Sequence, residues 1–388
     1  MSIIKNTMGE FQTLLILMVV IYTFGHIFRV LKLPVIFGEL LGGIILGPLV
    51  LNIIDPESDI IKIFAELGIF FLMLHAGLEN NPKDLLKSSK KSILISIGGM
   101  IIPLVGGFFV SQIFIDDAMS SFFIGVALSI TALPIALRIF KDCNIQSTQI
   151  AKITVASALI NDIVGLILLS VVISVAESGF IDFASLGVFI AKVIFFFLAV
   201  IVLGIKSAKY IDRILKNKGF TFALIVALIL GLLAEAIGLH MIIGAFLAGL
   251  FIREEVVNEK VFRKIEDRVY GLSYSFLGPI FFTSLAFHLS FENVMKNPLF
   301  LIAIILIAII GKIFGAGMMA FFQGMNLKQS GIIGLAMNTR GAVELIIADI
   351  GLKQGIISEE IFSILVIMAF ATTFFSIIGM RIYGKHAE

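Results

Sequence analysis

Asp162 and its neighbour Asn161 lie in "ASALINDIVG" (156–165), a stretch that is otherwise apolar enough to sit in lipid. An ionised carboxylate near the middle of a membrane helix costs about 3 kcal/mol or more, so a carboxylate kept there is expected to titrate or to bind something. Desolvation favours its neutral form and a nearby cation its charged form, so one carboxylate holds a proton or a metal ion, but hardly both. Competition of that kind is sufficient for exchange. Asn161 adds a carbonyl and an amide, Ser157 a hydroxyl about one turn earlier, and Thr131 in "TALP" a second hydroxyl. Oxygen donors of this kind suit Na+ or another hard cation rather than zinc or copper. The competing reading of Asp162 is a buried helix–helix hydrogen-bond partner with no ion to carry.

Arg340, Glu344 and Lys312 also fall inside apolar runs. Arg340 and Glu344 stand four residues apart and can pair on one helix face as a neutral strut. Lys312, in "IIGKIFGAG", has three open roles: it can pair with a carboxylate, cap the dipole of an unwound half-helix, or give up its proton during transport. The histidines His75, His240 and His288 fall near predicted helix ends and are assigned no role. The single cysteine, Cys143, has no partner for a disulfide or a metal.

The elements that must position these residues are membrane helices. Of 388 residues 59% are hydrophobic and 14% charged, and the mean hydropathy is +1.10, which places most of the chain in lipid. A formal charge of +2 and aromatics that are mostly Phe inside apolar runs leave no basic or stacking surface for nucleic acid. No nucleophile–base pair, metal cluster or phosphate cradle marks an enzyme, and no cofactor is expected.

Apolar runs bounded by charges, Pro or Gly number about thirteen at the length needed to span a bilayer. They cover 11–28, 35–53, 60–78, 92–115, 119–140, 148–176, 184–204, 220–238, 240–252, 266–290, 297–322, 328–351 and 357–382. With the N-terminus outside and the C-terminus inside, only Lys5, Lys62, Lys296 and Lys353 among the loop lysines and arginines face outward, as the positive-inside rule requires. Runs 1–6 then begin outside and runs 8–13 begin inside, so run 7 links two six-helix halves of opposite topology, the layout of an inverted-repeat transporter. The fifth run of each half carries a break: Thr131-Ala132-Leu133-Pro134 in one, Asn338-Thr339-Arg340-Gly341 in the other. Pro134 removes a backbone donor and Gly341 weakens its helix by roughly 1 kcal/mol, so both can unwind and aim free carbonyls into a cavity. A simple kink is the plainer reading of either break alone.

Seven stretches, in order along nearly the whole chain, resemble the consecutive motifs of the monovalent cation/proton antiporter family of the sodium/proton exchanger superfamily. They are "PVIFGELLGGIILGP" (34–48), "HAGLE" (75–79), "TALPIALRIF" (131–140), "ASALINDIVG" (156–165), "GAFLAGLFI" (244–252), "GKIFGAG" (311–317) and "NTRGAVELIIADIGL" (338–352). The resemblance implies an all-α homodimer whose broken runs 5 and 12 cross behind the ion. It implies a dimerisation scaffold from residues 1–90 (runs 1–3) and 220–296 (runs 8–10), joined through a linking run and cytoplasmic loop over 181–219. A core from 91–180 (runs 4–6) and 297–388 (runs 11–13) moves against that scaffold like an elevator. The ion-binding aspartate maps onto Asp162 and the basic residue of run 11 onto Lys312. Electrogenic relatives carry two adjacent aspartates where this chain has Asn161-Asp162, which implies electroneutral exchange of one cation for one proton. Ser157 stands in the neighbourhood where some Asn-Asp relatives place a glutamate. The chain ends soon after the last run, so no soluble nucleotide-binding tail is expected.

The expectation is therefore a secondary active transporter exchanging Na+ or K+ for H+, multi-pass, in the inner or plasma membrane of a prokaryotic cell. A sodium-coupled symporter of an organic anion is the nearest alternative, told apart by a saturable need for an organic co-substrate. An ion channel or a sensor is the other, told apart by single-channel conductance or by binding without turnover.

Overall fold

In the computed structural model, which describes residues 2–56, 58–79, 90–131, 135–136, 140, 145, 148–178, 183–255 and 259–383, the described residues are helical with no strand. The helices are α1 (Ser2–Val30), α2 (Val35–Leu46), α3 (Asp59–Glu79), α4 (Lys90–Phe114), α5 (Ala118–Ser129), α6 (Gln149–Ser178), α7 (Phe183–Ala236) and α8 (Met241–Glu255). There follow α9 (Glu259–Leu272), a π-helical turn (Ser273–Leu277), α10 (Gly278–Leu285), α11 (Phe291–Lys296), α12 (Pro298–Phe322), α13 (Leu327–Met337), α14 (Ala342–Lys353) and α15 (Glu359–Tyr383).

Among the described residues eight helices are long and apolar enough to cross a membrane, and α13 with α14, bent by 43° at a short break, would make a ninth. The other runs are shorter helices: 35–46, 118–129, 191–200 and 241–252. Run 2 stops at Leu46 because Pro48 follows: the preceding Gly47 is extended (φ −79°, ψ −171°), and proline offers no N–H to continue the ladder. The loop expected near 205–219 is helical instead, and runs 7 and 8 lie in the single 54-residue helix α7. That stretch, "IKSAKYIDRILKNKG", carries no proline, and its lysines and arginines are as good helix formers as leucine, so charge ends the membrane span without ending the helix. Pro134, Ala132, Leu133 and Cys143 lie outside the described residues.

The chain forms two compact units. The first takes residues 1–81 and 195–289. Its apolar core gathers Leu17, Ile21, Leu46, Ile61, Ile280 and Phe287, and Thr283 Oγ1 of α10 donates to the Glu39 carbonyl of α2 at 3.1 Å.

The second unit takes residues 82–194 and 290–388 and holds Asp162, Asn161, Ser157, Thr131, Lys312, Arg340 and Glu344. Its core includes Ile95, Phe140, Ile153, Ile333, Met337 and Ile377. α4 and α12 touch backbone to backbone: a Cβ on Gly98 would stand 2.6 Å from the Gly315 carbonyl oxygen, so only small residues permit this approach, and it brings the polar faces of the two helices together. α13 starts with a reciprocal cap, Gln329 N to Asn326 Oδ1 at 2.8 Å and Asn326 N to Gln329 Oε1 at 3.2 Å.

α5 begins at Asp117, whose carboxylate accepts from Met119 N at 3.0 Å, from Ser120 N at 3.2 Å and from the Ser120 hydroxyl. The Ser120 hydroxyl bond, then these backbone bonds, holds the Asp117 carboxyl below its ordinary range. The ionised form is the one the fold favours, so this stabilisation is present above the ordinary aspartate range and is lost as pH falls through the lowered value. Asp117→Ala is expected to cost about 1 kcal/mol, read as a lower midpoint of thermal unfolding in detergent, with Asp117→Asn recovering most of it and removing the acid dependence. An unchanged midpoint in the alanine variant would show that the cap contributes nothing.

Candidate functional site

The site is built around a helix end. α5 stops at Ser129, and Ile130 turns extended (φ −82°, ψ 157°). A proline at 134 has no N–H to give to the Ile130 carbonyl, and the last carbonyls of any helix lack partners within it. Side chains meet these groups here, beside the bond from Ile130 N to Ala127 O at 3.3 Å. Val126 O accepts from Ser129 Oγ at 2.6 Å. Arg340 Nη1 donates to Ala127 O at 3.0 Å and to Ile130 O at 2.8 Å, and Nη2 donates to Leu128 O at 2.6 Å. Ser129 O accepts from Lys312 Nζ. Two cations thus sit at the negative end of the α5 dipole.

Arg340 reaches α5 because the second break holds it there. α13 ends at Met337 and α14 begins at Ala342, with Gly341 extended between them (φ −164°, ψ −147°). α15 replaces the missing helical turn. Arg340 N donates to Thr373 Oγ1 at 2.8 Å, and the same hydroxyl donates to Arg340 O at 3.0 Å. Asn338 Nδ2 donates to Thr372 O at 3.2 Å and Ser376 Oγ at 3.0 Å. Glu344, in the first turn of α14, faces Arg340 Nη1 at 3.4 Å, although Arg340 lies in the break before the helix rather than on the one helix face that their spacing suggested.

Lys312 links the two breaks. Besides Ser129 O, its ammonium donates to Thr131 Oγ1 at 2.8 Å, and Thr131 in turn donates to Met337 O at 3.0 Å, the end of α13. The third proton points at Asn161. With the amide turned so that unlike partners meet, Asn161 Oδ1 accepts from Lys312 Nζ at 3.2 Å and Nδ2 donates to Ser96 O at 3.3 Å and to the Ser96 hydroxyl. An ammonium has three donors and no acceptor, and all three find oxygens. Of the three roles open to Lys312, its position is that of a cap on the α5 end.

Asp162 follows Asn161 on α6. It lies within electrostatic reach of Lys312, as do Glu344 and Arg340. Asn161, Lys312 and Arg340 are wholly buried, whereas Asp162 keeps 6% of its surface exposed. Of the charged groups here it is the most exposed, with Glu344 at 2%. Ser157 is brought onto the same helix face as Asn161, but its hydroxyl proton goes to Ser92 O at 3.0 Å and Ile153 O at 2.9 Å rather than to either neighbour. Ser92 and Ser96 on α4 thus face Ser157 and Asn161 on α6, two rungs each one turn apart. Among the described residues no three of His, Cys, Asp and Glu are grouped to hold a metal.

Sequence reasoning missed Ser96, Ser129, Thr372, Thr373 and Ser376. "ATTFFS" (371–376) in an otherwise apolar run was a visible signal for the last three; nothing in the chain distinguishes Ser96 from other small residues of α4.

Comparison with known proteins agrees with this architecture. The family model described as "Sodium/hydrogen exchanger, transmembrane" matches residues 14–381. The Na(+)/H(+)-K(+) antiporter GerN of Bacillus cereus is 30% identical over 345 residues, covering 88% of this chain and 87% of that protein. Cation/H(+) antiporter 15 of Arabidopsis thaliana is 32% identical over 382 residues, 93% of this chain but 46% of the plant protein, so the chain spans about half the length of that relative. The solved structure of the sodium proton antiporter MjNhaP1 of Methanocaldococcus jannaschii shares the fold with a TM-score of 0.71 at 19% identity, covering 98% of both chains. The chain belongs to the sodium/hydrogen exchanger family of monovalent cation/proton antiporters, as a multi-pass integral membrane protein and a transporter rather than an enzyme.

Proposed function

We propose that this protein exchanges Na+ or K+ for H+ one for one, with Asp162 binding the cation or the proton in competition. The observation that carries this is Asp162 itself, a carboxylate buried in an apolar helix next to Asn161 and within electrostatic reach of the Lys312 that caps α5. The cluster brings together two basic groups, Lys312 and Arg340, and two acidic ones, Glu344 and Asp162. A bound cation and a bound proton each add one positive charge, so both loaded forms carry the same charge across and exchange builds no potential. The names of the antiporters to which the chain is similar support the ion classes, Na+ and K+ among them.

The scaffold role of 1–90 and 220–296, the core role of 91–180 and 297–388, the elevator motion, the homodimer, the thirteen spans as inverted repeats with N-out, C-in topology and the bacterial plasma membrane belong to the same proposal. Support comes from the division of the chain into two compact units near those boundaries and from helix breaks at 130–131 and 338–341.

The test is proton flux in proteoliposomes driven by Na+, K+ or Li+ gradients, with the membrane potential clamped or left free. Flux that ignores the potential supports one proton per cation at Asp162. Flux that builds or follows a potential overturns that stoichiometry and makes Lys312 the second carrier to examine. In the same assay Ser157→Ala is expected to leave the apparent affinity for each cation within about twofold and to lower stability by about 1 kcal/mol, since the hydroxyl proton serves α4 and its own helix. A clear change in cation affinity at normal stability would make Ser157 a ligand.

A further inference from the structure

Resting on the exchange reading, we propose that Ser96 is a positioning residue of the ion site: it fixes which way the Asn161 amide faces, and through it the affinity and selectivity at Asp162. The two ends of an amide have the same shape and opposite hydrogen-bonding character, so the neighbours decide its orientation. Asn161 is wholly buried. On one side stands Lys312, which can only donate; on the other stands Ser96, whose carbonyl can only accept. In the reverse orientation the Ser96 hydroxyl can still donate to Asn161 Oδ1 and Asn161 Nδ2 reaches Thr131 Oγ1 at 3.4 Å, but the amide nitrogen then faces the Lys312 donor and the amide oxygen faces the Ser96 carbonyl, where an unmade buried bond is costly.

The Ser96 hydroxyl completes this arrangement. Its own proton points along α4 to Met100 Sδ at 3.9 Å, which leaves its oxygen lone pairs toward Asn161. With the nitrogen held by Ser96, the Asn161 oxygen is committed to Lys312 and is withheld from an ion beside the next residue in the chain. Without that hydroxyl the amide keeps a single backbone acceptor and can swing its oxygen away from Lys312. The ion at Asp162 then meets an additional carbonyl, and Lys312 loses one of its three acceptors. Ser96 touches neither ion nor proton; it acts through Asn161.

The experiment compares wild type, Ser96→Ala and Ser96→Thr in proteoliposomes, reading KM and maximal rate for Na+, K+ and Li+ together with thermal unfolding. Ser96→Ala is expected to shift the cation KM about 3- to 10-fold, the effect of one buried hydrogen bond, and to change the ranking or ratio of the three cations. The unfolding midpoint is expected to fall no further than that of Ser157→Ala, and Ser96→Thr, which keeps the hydroxyl, to restore the wild-type ratios. In an Asn161→Ala background the Ser96 substitution is expected to have no further effect on KM. Unchanged KM values and ratios in Ser96→Ala would overturn the proposal, as would a shift that Thr does not restore or that persists without Asn161. Should the alanine variant not fold, Ser96→Cys, of similar size but with a weak acceptor, is read against the same criteria. Absence of cation-driven flux in wild type would instead overturn the exchange reading.

Discussion

Asp162→Asn protein is expected to fold in normal yield and to carry no cation-driven proton flux above that of empty liposomes, for any monovalent cation and at any pH tested. The substitution preserves shape and removes the group that can take a proton or balance a cation. Burial explains why the loss should be complete: an ionised carboxylate at this depth costs about 3 kcal/mol or more, and only an ion or a proton bound there offsets that cost. In the variant the cluster of Lys312, Arg340 and Glu344 carries a fixed positive charge, the same as the loaded wild type, but with nothing to release. A second readout separates lost binding from lost movement. In wild type the transported cation at ten times its Kd should raise stability by about 1.4 kcal/mol, seen as a higher unfolding midpoint, and Asp162→Asn should abolish that rise. Exchange that survives in Asp162→Asn protein would refute the competition mechanism outright.

Arg340→Ala is expected to be the most damaging single substitution for the fold. It strands the Glu344 carboxylate, 2% exposed, without its cation and removes the donor from the carbonyls of Ala127, Leu128 and Ile130 at once. Removing one partner of a buried ion pair costs about 3–5 kcal/mol, and each stranded carbonyl adds to that. Against a total stability of about 5–15 kcal/mol, the expected result is a collapse of monodisperse yield in detergent chromatography. Arg340→Lys should be intermediate, because a single ammonium cannot span three carbonyls and a carboxylate as a planar guanidinium does. Pairing Arg340→Met with Glu344→Gln should recover part of the yield, since no charge is then left alone. Normal stability of Arg340→Ala combined with altered cation affinity would instead move Arg340 among the groups that meet the ion.

These two residues were legible in the chain for the same reason: charge in lipid is costly, and so it stands out against the runs that surround it. Arg340 and Glu344 do meet, 3.4 Å apart, but Arg340 lies in the break before α14, so the contact is not the one-face helix pairing that their spacing alone suggests. The break at 338–341 was likewise readable from Gly341 and its polar neighbours. The continuous helix α7 was not. Its basic stretch reads as a loop when charge is taken to mark the end of a helix, yet lysine and arginine favour helix and only the bilayer excludes them.

By itself the sequence determined that the chain lives in a membrane and that the run over 328–351 is broken at 338–341, because each of these follows from local composition, spacing and backbone chemistry. Only the tertiary structure decided what its buried charges do. Arg340 meets carbonyls 210 to 213 positions away, and Lys312 meets Thr131 across 181. Periodicity along one helix says nothing about which helix end will be its neighbour; that is set by how α4 packs on α12 and how α15 grips the break. A helix terminus leaves carbonyls that any nearby donor can take, so the identity of that donor is a property of packing, and here packing placed Lys312 and Arg340 on α5 and left the remaining exposure to Asp162.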